Sequence, residues 1–550
     1  IPPNLPTQIP RRLKTPLRLP LPTTQPHPIN LLRPLHRLVI LRPTLECGSS
    51  LPLFPPQLHH PNRHSKTKTN PSAPPACHPE TIREGWAKDL NVKCLPNSQS
   101  NRPNARRPRR SLRYRFSFLV LDTNPHPSHP LLSMNPITRR KFVTNLAAIS
   151  TLSAMAPQTP PSFSTLKPLG DRIHPIAPDE FHSRLLRAQE LMSQSTPKFD
   201  ALFIGPGTSL YYFTGIRWWL SERLLALVIP ASGQPILITP AFEEARMRES
   251  LLFPAEVRAW QEDQNPFKLL ATALADRNLR TGHIGIEERL PFTFFDHFRA
   301  AAPAYECVSA DLITIACRSR KSPHELELMR LACEATFDVY RQVFANLKEG
   351  MTQEQISDLV VAGYSRMELQ GDALVLLGPS AALPHGSKQP RTLKEGDVVL
   401  IDDGCFVEGY QADITRTAVF GKPTEKMQRA FGAVRKAQDA ALDAARAGKL
   451  SGSVDDAARA QVTAAGFGPD YKYFAHRVGH GMGLDIHEHP YLVRGSTTVL
   501  EPGMTFSNEP AIYIPNEFGI RCEDDMVITP SGPAALLTQS FQFSLEKPFA

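Results

Sequence analysis

Asp402, Asp413, His480, Glu509 and Glu523 are spread over 122 positions, and each sits in a segment that reads as a strand or a strand end. Four carboxylates and one imidazole make a hard donor set. It suits Mn²⁺, Co²⁺, Zn²⁺ or Fe²⁺ better than a soft thiolate site would. Side chains of these types can hold two divalent ions side by side. Two ions a few ångströms apart can share a hydroxide and polarise a carbonyl, which is the chemistry of hydrolysis.

Acids are common in this chain, so the eleven-residue spacing of Asp402 and Asp413 says little alone. The surrounding sequence says more. Asp397-Val-Val-Leu-Ile-Asp402-Asp403-Gly404 is an apolar, β-branched run that ends in acid and glycine. Cys405 to Val419 resumes as a second strand-like stretch, with Gly409-Tyr410 as its turn and Asp413-Ile-Thr-Arg-Thr417 following. Two antiparallel strands joined by a short turn would put both carboxylates on one sheet face. Downstream, Phe474 to His489 holds four histidines, His476, His480, His487 and His489, with glycines around His480 that allow close backbone approach. Glu501-Pro-Gly503 reads as a turn, Met504 to Pro510 as a strand carrying Glu509, and Gly519 to Ile528 as a strand with Glu523 inside it. A lone acid or histidine is more often a satisfied surface or core residue. The joint pattern reverses that preference.

Leu400-Ile-Asp402, Asp413-Ile-Thr-Arg-Thr417, His480-Gly-Met-Gly-Leu-Asp-Ile-His487, Asn508-Glu509-Pro510 and Gly519-Ile-Arg521-Cys-Glu523-Asp resemble the pita-bread metallopeptidases. Within that family the similarity is to the Xaa-Pro aminopeptidases and prolidases, over roughly residues 178–540. The resemblance implies an α/β N-terminal domain followed by an α+β pita-bread catalytic domain, a curved antiparallel sheet covered by helices. It implies two divalent metal ions, manganese foremost, with cobalt, zinc or iron as alternatives. Asp402 would chelate one ion, Asp413 and Glu523 would bridge both, and His480 with Glu509 would complete the second. Glu509 would also handle the proton of the bridging water. His385, in Leu383-Pro-His385-Gly386, matches a histidine near the scissile bond. His487 matches one that stabilises the tetrahedral intermediate, and Arg521 would orient the carboxylates. His476 and Tyr410 are weaker matches. His489 and Asp403 receive no role.

The implied substrates are peptides with proline at the second position, cleaved at a peptide N-terminus or in a dipeptide. Such a bond is a tertiary amide with a restricted preceding residue. Its hydrolysis needs a nucleophile made at neutral pH, a positive partner for the oxyanion and a proton for the leaving nitrogen. Another hydrolase or a lyase on the same scaffold is the alternative, as is a non-catalytic peptide-binding homologue. Dipeptidase versus aminopeptidase stays open, and so does oligomeric state, a homodimer included.

The elements that must position these residues fall into two domains. In the first, 178–320, Asp200–Ile204, Ser209–Phe213, Leu224–Ile229 and Pro235–Ile238 read as strands of a mostly buried sheet. Helices are expected near 181–195 and 267–277. Trp218 and Trp219 read as core packing before interface. The catalytic domain, 321–545, opens with Ser322-Pro323-His324-Glu325, a capping box with proline at the first helical position. Leu328, Ala332, Ala335, Val339, Val343 and Leu347 form one apolar face, and Gly350 closes that helix. Thr352 with Gln355 starts the next helix, and an alanine-rich helix spans 424–448.

Composition divides the chain further. Residues 1–133 hold 25 of the 54 prolines, with 20 basic and 5 acidic residues, whereas the remaining 417 residues carry 42 and 48. The overall charge of +9 therefore averages two unlike parts. A basic stretch suggests a nucleic-acid arm. This one lacks hydrophobic periodicity and is too rich in proline for regular elements, so no nucleic-acid partner is expected. The first methionine is Met134. Thr138-Arg139-Arg140-Lys141-Phe142-Val143 and the mildly apolar run to Ala156 resemble a bacterial twin-arginine export signal. Translation is expected to start at Met134, with residues 1–133 upstream sequence read in frame. Residues 134–177 are then signal and Pro/Ser-rich linker, the partner is the twin-arginine machinery, and the location is periplasmic or extracellular in a bacterium, with the cytoplasm as alternative. The apolar run is too short to span a membrane. Cys307, Cys317, Cys333, Cys405 and Cys522 show no CxxC spacing, so neither a disulfide framework nor a zinc site follows.

Overall fold

The computed structural model describes residues 161–539 and 543–549. The basic segment 1–133 and the twin-arginine-like motif lie outside the described residues. Residues 161–177 are packed rather than strung out as a linker. Phe163, Leu166, Leu169 and Ile176 are buried in the main core, and Arg172 pairs with Glu334 at 2.6 Å. The prolines masked an apolar residue every few positions.

The first domain is built on a mixed six-stranded sheet. Its strands are β1 (Ala201–Ile204), β2 (Ala226–Pro230), β3 (Ile236–Pro240), β4 (Glu256–Trp260), β5 (Gly282–Ile286) and β6 (Tyr305–Ser309), in the order β4-β3-β2-β1-β5-β6. The pairs β1–β2 and β2–β3 are antiparallel, and the other three are parallel. Alternate residues serve opposite faces. Leu202, Ile204, Leu227 and Ile229 face the core shared with helix α1 (Pro178–Gln194). Ala201, Phe203, Ala226 and Val228 face the other core. Helix α2 is Thr208–Thr214, α3 Glu244–Ser250, α4 Pro266–Asp276, α5 Phe292–Ala301 and α6 Asp311–Arg318. Phe267, Phe294 and Phe298 of α4 and α5 cover that second face. Burial on both faces explains the unbroken apolar runs of β1 and β2.

Two expectations fail here. Ser209–Phe213 is helix α2, not a strand: Gly207 precedes it, and Gly215 ends it in the left-handed region at φ 75°. Every residue from Ser209 to Thr214 is buried, so neither a helical nor a strand period shows in the sequence. Trp219 is not core, being 90% exposed, while Trp218 lies under the Arg246 guanidinium.

The second domain starts with α7 (Pro323–Ala345). Ser322 Oγ accepts from Glu325 N at 3.2 Å and Glu325 returns the bond to Ser322 N at 2.7 Å, a box that contributes about 1 kcal/mol. Leu328, Ala332, Ala335, Val339 and Val343 are buried as the spacing requires. The helix stops at Ala345, five residues before Gly350, whose N–H bonds Leu393 O instead. Next come α8 (Gln353–Arg366), α9 (Glu425–Ala444) and α10 (Gly452–Val462). The first two helices cover one part of the strands. The Ala430, Ala433, Ala437 and Ala441 face of α9 packs with α10 against the rest.

The strands are β7 (Gln370–Gly371), β8 (Leu374–Leu377), β9 (Val398–Asp402), β10 (Cys405–Val407), β11 (Tyr410–Gln411), β12 (Arg416–Val419), β13 (Gly479–Gly481), β14 (Glu488–Leu492), β15 (Thr505–Asn508), β16 (Ala511–Ile514), β17 (Phe518–Arg521), β18 (Asp524–Val527) and β19 (Ala535–Leu536). They form antiparallel sheets ordered β12-β9-β8, β14-β13-β15-β18-β19, β16-β17 and β11-β10-β7. Strands β9 and β12 pair as expected but are not joined by a short turn. Asp403, at φ 88°, turns the chain out of β9, and the hairpin β10–β11 pairs with β7 before β12 returns. Gly404 makes this exit passable, because a Cβ there would sit 2.4 Å from Ala412 O. Among the described residues no helix is long and apolar enough to cross a membrane.

Candidate metal centre

The proposed ligands gather where the strands end or break. Asp402 is the last residue of β9, and Asp413 lies in the connection before β12. His480 is inside β13, Glu509 follows β15, and Glu523 sits in the break between β17 and β18 rather than within one continuous strand. A break lets the chain turn a carboxylate inward without obeying the strand's two-residue alternation. Gly479 permits the close packing beside His480, since a Cβ would meet Ser507 O at 2.1 Å.

One ligand atom each from Asp413, His480 and Glu523 lies within 4.8 Å of the others. His480 Nε2 is 3.4 Å from Asp413 Oδ2 and 3.4 Å from Glu509 Oε1. Its Nδ1 is 3.2 Å from Gly481 O, a geometry in which Nδ1 carries the proton and Nε2 keeps its lone pair. Burial, reinforced by the neighbouring His487 ring and the Arg477 guanidinium, lowers His480 to about 3, so the ring is neutral. This is the form a cation binds.

The carboxylates are crowded. Burial first, then Asp402, Asp525 and Glu509, raise Asp413 well above the usual carboxylate range. Burial, then Asp413 and Glu509, does the same to Glu523. Burial pushes Glu509 up to about 8 against the pull of Arg521. Asp402 is lowered: burial opposes its charge, but Arg521 and the Thr415 hydroxyl outweigh it. Thr415 Oγ1 lies 2.5 Å from Asp402 Oδ1 and 2.6 Å from Glu523 Oε2, and accepts from Arg521 Nε at 2.9 Å. A hydroxyl has one proton for these two oxygens. Four buried acids share one directly bonded guanidinium, Arg521, and divalent cations fit that donor set.

Arg521 also binds Asp402 through Nη2 and donates to the Tyr513 hydroxyl at 2.8 Å. Tyr513 in turn is 2.8 Å from His476 Nε2, and His476 Nδ1 is 3.5 Å from Glu509 Oε2. His476 is thus part of the site. A cleft of about 680 Å³ is lined by all five proposed ligands, four acids and one histidine, together with His385, His476, Arg477, His487 and Arg521. His487 stacks edge-on against His480, with ring centroids 4.1 Å apart. His385 is on the exposed rim. Asp403 also lines the cleft, and its Oδ2 accepts from Leu374 N at 3.0 Å.

Tyr410 is elsewhere. Its hydroxyl bonds Glu325 at 2.7 Å and Arg184 at 3.0 Å in the core between the domains. Three residues without an expected role matter to the site: Thr415, Arg416 and Tyr513. Arg416 is buried, donating to Glu523 O and Thr415 O and pairing with Asp524. Thr415 and Arg416 stand in the Asp413-to-Thr417 motif. The signal was present, but only the acid in it looked like chemistry.

Residues 327–530 match the metallopeptidase family M24 model, and residues 184–320 match the creatinase/prolidase N-terminal domain. The chain is 33% identical over 351 residues to an uncharacterized peptidase of Staphylococcus saprophyticus, covering 63% of this chain and 97% of that protein. It is 33% identical to the probable dipeptidase PepE of Mycobacterium tuberculosis, over 61% of this chain and 89% of that one. Among solved structures, dipeptidase PepE from Mycobacterium ulcerans superposes with a TM-score of 0.61 at 32% identity, covering 67% of this chain and 98% of that chain. A prolidase from Thermococcus sibiricus does so with 0.60 at 28%, covering 66% and 98%. With this fold, these matched domains and this gathering of acids around His480, the chain belongs to metallopeptidase family M24.

Proposed function

We propose that the chain hydrolyses Xaa-Pro bonds with two divalent ions, manganese foremost, and that dipeptides are its preferred substrates. The observation that carries the reading is the convergence of Asp413, His480 and Glu523 within 4.8 Å, with Asp402 and Glu509 lining the same cleft. In this reading Asp402, Asp413, His480, Glu509 and Glu523 would hold the two ions, with Asp413 and Glu523 assigned to both. The ions, when bound, make water acidic enough to act at neutral pH and polarise the scissile carbonyl. Glu509 takes a proton from the attacking water and returns it to the leaving nitrogen. His487 donates to the developing oxyanion, and His385 contacts the substrate at the rim. Arg521, held by Tyr513 and Thr415, keeps the Asp402 carboxylate oriented.

Preference for dipeptides is supported by Arg477. It lines the cleft with its guanidinium 4.2 Å from the centre of the Tyr491 ring, and among the described residues it has no carboxylate partner. A half-buried, unpaired guanidinium suits the free carboxylate of a two-residue substrate. Relatives named as dipeptidases, and a neighbour named as a Xaa-Pro dipeptidase from Bacillus anthracis, point the same way. The test is an assay of protein beginning at Met134 against Xaa-Pro dipeptides, Xaa-Pro tripeptides and dipeptides without proline, across a series of metals. Faster cleavage of the non-proline dipeptides would overturn the proline assignment. Export rests on the Arg139–Arg140 motif alone, and changing both to lysine should keep the protein in the cytoplasm.

A further inference from the structure

The connection between β13 and β14, Met482–His487, carries His487 and belongs to no strand. Its first half is tied to its own domain. Gln411 donates from its backbone N to Gly483 O at 2.9 Å and from Nε2 to Leu484 O at 2.8 Å. Its second half is tied to the other domain. Arg289, in the turn after β5, places Nη1 2.6 Å from Asp485 Oδ1 and donates Nη2 to the carbonyl of His487 itself at 3.0 Å. Arg318, the last residue of α6, donates to Asp485 Oδ2 at 2.6 Å and Glu488 Oε2 at 2.7 Å. Thr208 adds a bond to Asp485 Oδ2 at 2.8 Å, and Lys321 takes the remaining oxygen of Glu488.

Both carboxylates that flank His487 therefore have every oxygen engaged, and most of the cations come from the N-terminal domain. Buried ion pairs add little net stability compared with apolar packing. Their strength is geometric, because a guanidinium fork fixes both distance and direction. The His487 ring is in contact with His480, so a small movement of this connection would move its imidazole away from the centre.

We propose that Arg289 and Arg318 are positioning residues: the N-terminal domain holds His487 in place over the catalytic centre through the 485–488 segment. This rests on the role given to His487 above. It assigns the N-terminal domain a part in turnover rather than in packing alone.

Arg289 is the residue to test, since it is about half exposed, whereas Arg318 is buried among charges that its loss would strand. Arg289→Met keeps the apolar stem and removes both donors. Its kcat should fall about tenfold with KM within about twofold of wild type. In a His487→Ala background the same change should cost nothing more, because it acts only through that ring. Arg289→Lys should recover part of the loss. Hydrogen exchange of a peptide spanning 482–489 should quicken in Arg289→Met while bound metal and the thermal midpoint stay at wild-type values. A loss of equal size in both backgrounds, or an unchanged kcat, overturns the inference. A His487→Ala protein with wild-type turnover overturns it together with the role of His487. Failure of the proline assignment alone leaves the cycle to be run on whichever dipeptide is cleaved, so the two failures are told apart.

Discussion

His480 Nε2 and Asp413 Oδ2 face each other at 3.4 Å inside the protein, one a neutral nitrogen with a free lone pair, the other an oxygen that burial and neighbouring acids drive toward protonation. Neither satisfies the other well, and a cation between them satisfies both.

The first prediction follows from that pair. Asp413→Ala and His480→Ala should each lose bound metal, and Asp413→Ala should abolish activity, since Asp413 is assigned to both ions. Thr415→Val should lower metal affinity ~10–100-fold, because it frees Asp402 and Glu523 to rotate. Metal content by atomic emission, read beside turnover, checks all three. Full activity in Asp413→Ala would sink the dinuclear mechanism.

His487 should behave differently from His480 despite the 4.1 Å separation of their rings. His487→Ala is expected to keep its metal and lose ~10²–10³-fold in kcat, the loss seen when one donor to an oxyanion is removed. Steady-state kinetics with metal analysis decides this. A rise in KM with kcat intact would move His487 from the transition state to substrate binding.

Much of this site was readable from residue type and neighbouring motif. Asp402 was found because a β-branched run ends in Asp-Asp-Gly, and β-branched runs make strands. Ser209–Phe213 was misread because burial on all sides erases the period that separates helix from strand. Asp413 lies outside the strand expected for it, since nothing local shows that β10 pairs with β7. Thr415 stands in a readable motif, but its role comes from Glu523, 108 residues away, and that of Tyr513 from Arg521 across the β16–β17 pair, so neither role shows in residue type alone.

A third prediction concerns pH. Glu509 and Asp525 are both buried and pushed up to about 8, from ordinary values of 4.5 and 3.8. Across that window the folded metal-free protein binds more protons than the unfolded chain. Its stability should therefore be greatest at the acid end and fall as pH rises toward 8. Of the two, Glu509 is an assigned ligand and a divalent cation binds it deprotonated, so the cation's stabilising effect should grow over the same range. Thermal midpoints of chelated and Mn²⁺-loaded protein from pH 5 to 8 measure the gap. A gap that does not widen would mean that Glu509 is not coupled to the metal.

The last prediction separates dipeptidase from aminopeptidase through Arg477. It lines the same cleft as Glu509, His480 and His487, so an anion it held would lie in that cleft. In an Xaa-Pro dipeptide the free carboxylate is there, whereas in a longer peptide or an amide it is absent. A charge-assisted pair of this kind contributes roughly 1.5–3 kcal/mol, which corresponds to about 10–100-fold in KM. Arg477→Gln should raise KM for Ala-Pro by that factor and leave KM for Ala-Pro amide nearly unchanged, so that the wild type's preference for the free acid disappears. Arg477→Lys should keep part of the preference, since it retains the charge and loses the fork. Equal losses on acid and amide would show that Arg477 instead balances the charge of the buried acids, and the preference for dipeptides would then have no residue to carry it.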